Sequence, residues 1–220
     1  MSLVRICDNK GKGRSFITLH ETQRYEDFAI EVSNALSDKS RVARIEIPFV
    51  TEKNWKQITE ALEACIDEAK IRQSSIVAFG SASTIAQHLS LLSQKRVRSL
   101  ILVDAETRPH PGVWSRCVDW LEKQLPLGLP LRSKSEAFDG KPFLQRLRCP
   151  VMIVTSPEAD AHSLAEANIL LERLPISWKS ELSFDNSINE LVELAVEFQD
   201  VKAKCPQKAK SNRAEIRVNS

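Results

Sequence analysis

The sequence contains little glycine, with 6 glycines in 220 residues, and Gly80 is the only one between Gly13 and Gly112. A loop that cradles a phosphate between a strand and a helix needs several glycines close together. The chain also lacks the HExxH pattern and any cluster of cysteine and histidine that would suggest metal ligands. The sequence therefore predicts neither a metal site nor a cofactor.

Long apolar runs are also missing, since none approaches the roughly 20 residues that span a bilayer. The segment Met1–Gly13 carries charges and has no apolar core, which predicts no signal peptide. The 5 cysteines are dispersed and form no CxxC pair, as in cytoplasmic proteins with reduced thiols. The net charge of +2 predicts no strong attraction to nucleic acid. We expect a cytoplasmic globular protein that has no nucleic-acid partner.

Short apolar runs typical of strands alternate with segments of helical spacing along most of the chain. The alternation predicts an α/β fold whose doubly wound, mostly parallel sheet has helices on both faces. The predicted strands are Val4–Cys7, Ser15–Leu19, Val42–Ile47, Ile76–Phe79, Leu100–Val103, Val151–Val154 and Trp178–Phe184. The predicted helices are Glu26–Leu36, Asn54–Ala69, Thr84–Leu92, Ser163–Leu174 and Ile188–Phe198.

Two segments depart from this alternation. Residues 106–147 interrupt it between two core strands, with one helical pattern and then a stretch rich in proline and glycine, which predicts a short helical cap. Residues 201–220 contain six lysines and arginines against one glutamate, and we expect a disordered basic tail. Residues 1–200, including the cap, then form a single domain.

The segment Ser75–Asp104 reads SIVAFGSASTIAQHLSLLSQKRVRSLILVD. It resembles the core of the α/β-hydrolases, in which an apolar strand, the elbow G-x-S-x-G, a helix and an apolar strand ending in Asp follow one another. Residues Ala78–Ala82 occupy the five elbow positions, so Gly80 stands where the family has its nucleophilic serine. Three further segments are similar to family motifs in the family's order, which extends the resemblance over about Ser15–Phe198: Leu19–Glu21, Ile45–Phe49 and Arg148–Val154.

The resemblance implies that most of the catalytic parts are absent. Gly80 has no side chain, and the family's histidine would lie near residues 184–188, where Asn186 stands between Asp185 and Ser187. No histidine occurs after His162, so no shift of alignment supplies this base. Asp160 lies one residue beyond the position of the family's acid, where it could serve as the acid or cap the following helix.

Several residues could replace the lost parts in principle. Ser81, or Ser83 beside it, could act as a displaced nucleophile, and His110 or His162 could supply a base from a loop. His20 and Glu21 occupy the turn that shapes the oxyanion hole in the family, where an inward-pointing carboxylate would repel the developing charge. A pocket under the cap would be lined by the following side chains: Phe79, Trp114, Trp120 and Phe138.

Three hypotheses about function follow from these residues. The first is a catalytically inactive α/β-hydrolase-like protein that binds a small apolar ligand or a protein partner. The second is a divergent carboxylesterase or acyl hydrolase that uses Ser81 as its nucleophile and Asp160 as its acid. The third is a subunit of a larger assembly, such as the inactive partner of an active relative. The sequence predicts no oligomeric state.

Overall fold

The computed structural model describes residues 3–23, 25–51, 53–108 and 140–204, with side chains as far as Gln199. Within this part of the chain, no helix is long and apolar enough to cross a membrane. The predicted cap falls mostly on residues 109–139, and residues 205–220 belong to the predicted tail. Both segments lie outside the described residues, so the cap, the tail and the domain boundary stay predictions.

A seven-stranded sheet forms the centre of the molecule, in the order β1-β3-β2-β4-β5-β6-β7. Strand β1 runs antiparallel to β3, and every other neighbouring pair is parallel. The strands are β1 Arg5–Lys10, β2 Ser15–Glu21, β3 Arg41–Ile47, β4 Ser74–Phe79, β5 Val97–Val103, β6 Val151–Thr155 and β7 Ser177–Glu181. The predicted doubly wound, mostly parallel sheet is thereby confirmed.

Five helices are described, and they cover both faces of the sheet. They are α1 Glu26–Ser37, α2 Trp55–Glu68, α3 Ala82–Leu92, α4 Ala161–Arg173 and α5 Ser187–Lys204, and a short 3-10 turn, Leu144–Arg146, precedes β6. Helices α1 and α5 enclose one core with the sheet, and α2, α3 and α4 enclose the other. The central strand β4 is buried along its whole length, which explains its uninterrupted apolar run.

The helix boundaries follow from local sequence. Helix α2 buries one stripe of residues at helical spacing, from Trp55 through Ile58 and Leu62 to Ile66. Helix α4 begins after Asp160, whose carboxylate accepts the backbone N–H of Ser163 at 2.7 Å. Helix α5 continues to Lys204, beyond the predicted end at Phe198.

Three of the four described non-glycine residues with a positive φ lie at one edge of the sheet, where the parallel strands end, and the fourth, Lys70 with a φ of 54°, lies before β4 at the opposite edge. Gln23, Tyr25 and Asp104 have φ angles of 68°, 59° and 47°, which residues other than glycine rarely adopt. Gly80 has a φ of 54°. Gln23 and Tyr25 follow β2, Gly80 follows β4 and Asp104 follows β5. Residues with a strained backbone tend to cluster at functional sites, which makes this edge a candidate functional site.

Candidate functional site

A sharp turn connects β4 to α3, and Gly80 lies at its apex. Its N–H donates to the carbonyl of Val103 at 2.9 Å, and its carbonyl accepts the N–H of Ser83 at 3.1 Å. These two bonds fix the turn between β5 and the first turn of α3. Because glycine has no Cβ, it adopts the positive φ of 54° without a steric penalty.

The space beside Gly80 is filled by an aromatic ring. A Cβ built on Gly80 would lie 2.8 Å from Cε2 of Tyr25, closer than side-chain carbons pack. The ring of Tyr25 stacks on Phe79 with centroids 6.1 Å apart, and Phe28 meets Phe79 edge-on at 5.7 Å. Tyr25, the only tyrosine in the chain, therefore stands where the side chain of an elbow nucleophile would lie.

Asp104 links this ring to the neighbouring strand. Its Oδ2 accepts the Tyr25 hydroxyl at 3.3 Å, and its Oδ1 accepts the N–H of Ser156 at 2.9 Å. Asp104 is 3% exposed, and its two oxygens join the segments that follow β2, β5 and β6. The carboxylate holds the Tyr25 ring in place and closes the turn after β6.

An open cleft of about 500 Å³ lies beside Tyr25 at this edge of the sheet. Its walls combine two aromatic rings with four carboxylates and two neutral polar residues: Gln23, Tyr25, Glu26, Asp27, Phe28, Asp104, Ser156 and Glu158. A volume of this size suits a small molecule or a few side chains of a partner protein. Among the described residues, no three His, Cys, Asp or Glu side chains are grouped so that they could hold a metal ion.

Comparison with solved structures identifies the fold to which this geometry belongs. No protein-family model and no curated protein sequence matches the chain. Solved structures do match it. An esterase from Exiguobacterium antarcticum superimposes with a TM-score of 0.66 at 13% identity, covering 90% of this chain and 95% of that one. A carboxylesterase structure from the thaumarchaeon Nitrososphaera gargenis gives 0.64 at 10% identity, covering 91% and 95%.

An enol-lactonase from Burkholderia xenovorans gives a TM-score of 0.58 at 15% identity, covering 91% of this chain and 95% of that one. The chain has the α/β-hydrolase fold. The identities are too low to transfer an activity, so the residues must be judged one at a time. In the α/β-hydrolase fold, the turn at Gly80 is the elbow that normally presents a serine nucleophile.

Ser81 and Ser83, the two serines beside Gly80, are both buried. Within the described residues, the hydroxyl of Ser81 has no hydrogen-bond partner, and neither His20, His88 nor His162 bonds to it. Ser83 Oγ donates to the carbonyl of Glu106 at 3.0 Å and accepts the N–H of Glu106 at 2.9 Å. Ser83 therefore ties α3 to the chain after β5, and no base among the described residues bonds to either serine, as the histidine of an α/β-hydrolase would.

Glu21 and His20, at the end of β2, also point into the protein. Glu21 is 1% exposed, and its Oε1 accepts the N–H of Val50 at 2.7 Å. Its carboxylate therefore points inward and holds the loop that follows β3. Nδ1 of His20 donates to the carbonyl of Glu21 at 3.1 Å, and burial lowers the pKa of the imidazole. His20 is therefore neutral at pH 7, and neither residue lines the cleft.

The remaining predicted residues do not meet at the elbow. Asp160 caps α4, and Asn186 is exposed before α5, where its Oδ1 accepts Nδ2 of Asn189 at 2.7 Å. His88 packs against Trp55 and bonds to Thr59, and His162 is exposed on α4. Phe79 is buried beneath Tyr25 and does not line the cleft. The others lie outside the described residues: His110, Trp114, Trp120 and Phe138.

A further buried carboxylate, Glu166 on α4, bonds to Thr107 and Lys141, which lie on either side of the segment 109–139. Its Oε2 accepts the N–H of Thr107 at 3.0 Å as well as the Thr107 hydroxyl, and its Oε1 meets Nζ of Lys141 at 3.0 Å. Burial alone would raise the pKa of Glu166, but these bonds and the Lys141 charge outweigh it, and the pKa lies below its ordinary value. Residues 107 and 141 are thus fixed to α4.

Sequence reasoning identified Gly80 and missed Tyr25 and this second network. Tyr25 belongs to no motif, and it reaches Gly80 only because β2 and β4 are neighbours in the sheet. One signal was available, since the only tyrosine of the chain directly precedes a predicted helix that follows a core strand.

Proposed function

We propose that this protein is a catalytically inactive member of the α/β-hydrolase fold that acts as a binding module. The contact between Tyr25 and Gly80 carries the proposal. With a Cβ position only 2.8 Å from Cε2 of Tyr25, the elbow has no room for a nucleophilic side chain while that ring is in place. Stacking on Phe79 and the bond to Asp104 give the ring a defined position.

The histidines support the same conclusion. A serine hydrolase needs an imidazole within hydrogen-bond reach of its nucleophile. The chain has no histidine after His162. Of the three histidines in the described residues, His20 and His88 bond to other groups inside the protein, and His162 is exposed on α4. His110 lies outside the described residues. No described histidine forms a hydrogen bond with Ser81.

The cleft beside Tyr25 is the proposed binding site. Its aromatic faces, Tyr25 and Phe28, suit the apolar part of a ligand, and its carboxylates favour a neutral or positively charged polar group over an anion. A small molecule or a projecting side chain of a protein partner would fit its volume of about 500 Å³. The purely apolar ligand expected from the sequence suits these walls less well.

A divergent carboxylesterase that uses Ser81 is the alternative. Structures similar to this one include an esterase and carboxylesterases, so the fold permits the chemistry. The burial of Ser81 and its lack of a basic partner weigh against it.

Hydrolysis of p-nitrophenyl acetate and butyrate separates these two functions. We expect the purified protein to release nitrophenol no faster than buffer does, and a Ser81→Ala variant to behave in the same way. Turnover by the wild type that Ser81→Ala abolishes would replace the proposal with the esterase.

Binding at the cleft needs its own measurement. A library of small aromatic amines and alcohols, followed by amide chemical shifts, should perturb residues around Tyr25 and Ser156. The control is Ser156→Trp, which fills the cleft and keeps the backbone N–H that Asp104 accepts. Perturbations that persist unchanged in Ser156→Trp, or that map elsewhere, would count against a binding site in this cleft.

A further inference from the structure

The amino-terminal ends of the parallel strands carry a row of arginines. Six strands of the sheet are parallel to one another, and an arginine lies at or within four residues before the first residue of each. In sheet order from β3 to β7 they are Arg41, Arg14, Arg72, Arg96, Arg148 and Arg173. We call this row the amino-terminal edge. Because the strands are parallel, all six arginines lie at the same end of the sheet.

The row extends across six strands, and four of its six arginines are exposed. Neighbouring strands lie about 4.8 Å apart, so six strands space the arginines over about 25 Å. Arg14, Arg72, Arg148 and Arg173 are exposed, and Arg41 and Arg96 are half-buried. Arg41 donates to Asn9 and to the carbonyl of Ala69, and Arg96 pairs with Asp67. Arg72 and Arg148 form no hydrogen bond or ion pair with any described residue.

Lysines add to the positive charge of this edge. Lys12, Lys39, Lys70 and Lys95 are exposed in the same connecting segments, and the acidic residues at this edge are Asp38, Glu172 and, in the last turn of α2, Asp67 and Glu68. Carboxylates dominate the opposite end of the strands, at Asp104, Glu158 and Asp160 among others. The low net charge of +2 does not show how positive and negative side chains are distributed between the two ends of the sheet.

We propose that the amino-terminal edge binds the phosphate backbone of double-stranded nucleic acid without reading its sequence. Guanidinium groups match phosphate geometry better than other side chains do, and a duplex offers a line of negative charges along each strand at about one per 3.4 Å. One exposed aromatic side chain, Phe143, lies five residues before Arg148, and the guanidinium of Arg146 lies 5.4 Å from the centre of its ring. A groove for a single strand would offer several such rings, on which successive bases stack. The partner's charge, and not its base sequence, provides the recognition.

Fluorescence anisotropy with a labelled DNA duplex of about 20 base pairs tests this inference on the full chain. We expect a Kd on the order of 10 µM near physiological salt. With roughly five to six phosphates neutralised, log K should fall against log salt with a slope of about −5. Absence of salt-dependent binding to the duplex would overturn the proposal.

A matched pair of variants locates the binding surface. The triple variant Arg72→Glu/Lys95→Glu/Arg148→Glu reverses three exposed charges before β4, β5 and β6. The control Lys53→Glu/Lys56→Glu/Arg108→Glu makes the same change of net charge at the opposite end of the sheet. The edge variant should bind at least about tenfold more weakly and with a shallower salt slope, while the control should change by less than about threefold, because salt screens distant charges.

Equal weakening by both variants would overturn the proposal, because the protein's total charge would then be responsible. Circular dichroism and the unfolding midpoint of each variant establish that it is folded. A vesicle sedimentation assay distinguishes an anionic membrane surface from nucleic acid as the partner. Sedimentation with phosphatidylserine-containing vesicles at least as strong as duplex binding at the same salt would also overturn the assignment.

Discussion

The two ends of the parallel sheet use their polar side chains in opposite ways. At the carboxyl end, Asp104 accepts hydrogen bonds from Tyr25 and Ser156, and one oxygen of Glu21 accepts the N–H of Val50, inside the protein. At the amino end, exposed arginines such as Arg72 and Arg148 face solvent. In the α/β-hydrolase fold, catalysis normally belongs to the carboxyl end. Here the Tyr25 ring fills the space beside the elbow, and the exposed arginines lie at the other end.

Tyr25→Ala should have the largest effect on the packed end. Removing the ring leaves Phe79 uncovered beside Gly80, and we expect the free energy of unfolding to fall by about 3 kcal/mol, as for other large aromatic truncations. Tyr25→Phe is the matched control. It loses only the bond to Asp104 and should cost about 1 kcal/mol or less. Urea denaturation measures both, and equal losses would contradict the role of the ring.

The order of strands and helices along the chain was predictable because local patterns of apolar residues specify each element. The helix predicted at Asn54–Ala69 is α2, Trp55–Glu68, since its apolar stripe specifies one buried face. The elbow at Gly80 was predictable for the same reason, because the strand–turn–helix pattern around it is contiguous. Tyr25 was not predictable, because its contact with Gly80 joins residues far apart in sequence and depends on the order of strands. Likewise, a net charge of +2 does not reveal the separation of charge between the two edges.

Glu166→Gln should produce the next largest effect. The change removes the charge that meets Lys141 and weakens the bonds from Thr107, so we expect a loss of about 2 kcal/mol at pH 7. The folded-state pKa of Glu166 lies below its ordinary value of 4.5. The stabilisation is therefore complete above about pH 4.5 and is lost as the pH falls through the folded pKa.

Unfolding of the wild type and of Glu166→Gln should accordingly be compared at several pH values. The difference between them should shrink below about pH 4.5. A difference that stays constant through acid would show that Glu166 acts by shape and not by charge.

Gly80→Ser tests the crowding at the elbow. A serine there must adopt a φ of 54° and displace the Tyr25 ring, and we expect a loss of about 1–2 kcal/mol. In a Tyr25→Ala background, Gly80→Ser should cost about 1 kcal/mol less, which a double-mutant cycle measures. Additive losses would contradict the contact.

His20→Asn should have the smallest effect. Burial lowers the pKa of His20 below 6.5, so the unfolded chain takes up the proton first as the pH falls. Stability from the neutral imidazole is full above pH 6.5 and declines as the pH falls from there toward the folded pKa. Asparagine keeps the donor to Glu21 and cannot titrate. The variant should therefore lose less stability than the wild type between about pH 6.5 and 5. Parallel pH profiles would contradict this account of His20.

The most direct test of the central claim is the intact mass of the protein after incubation with a fluorophosphonate, with an active serine hydrolase labelled in parallel. The occupied elbow predicts no adduct on the wild type. It also predicts none on Gly80→Ser, because none of the described histidines, His20, His88 and His162, lies at the elbow to activate the new hydroxyl. A stoichiometric adduct on the wild type that maps to Ser81 or Ser83 would contradict the account and establish a working nucleophile at the elbow.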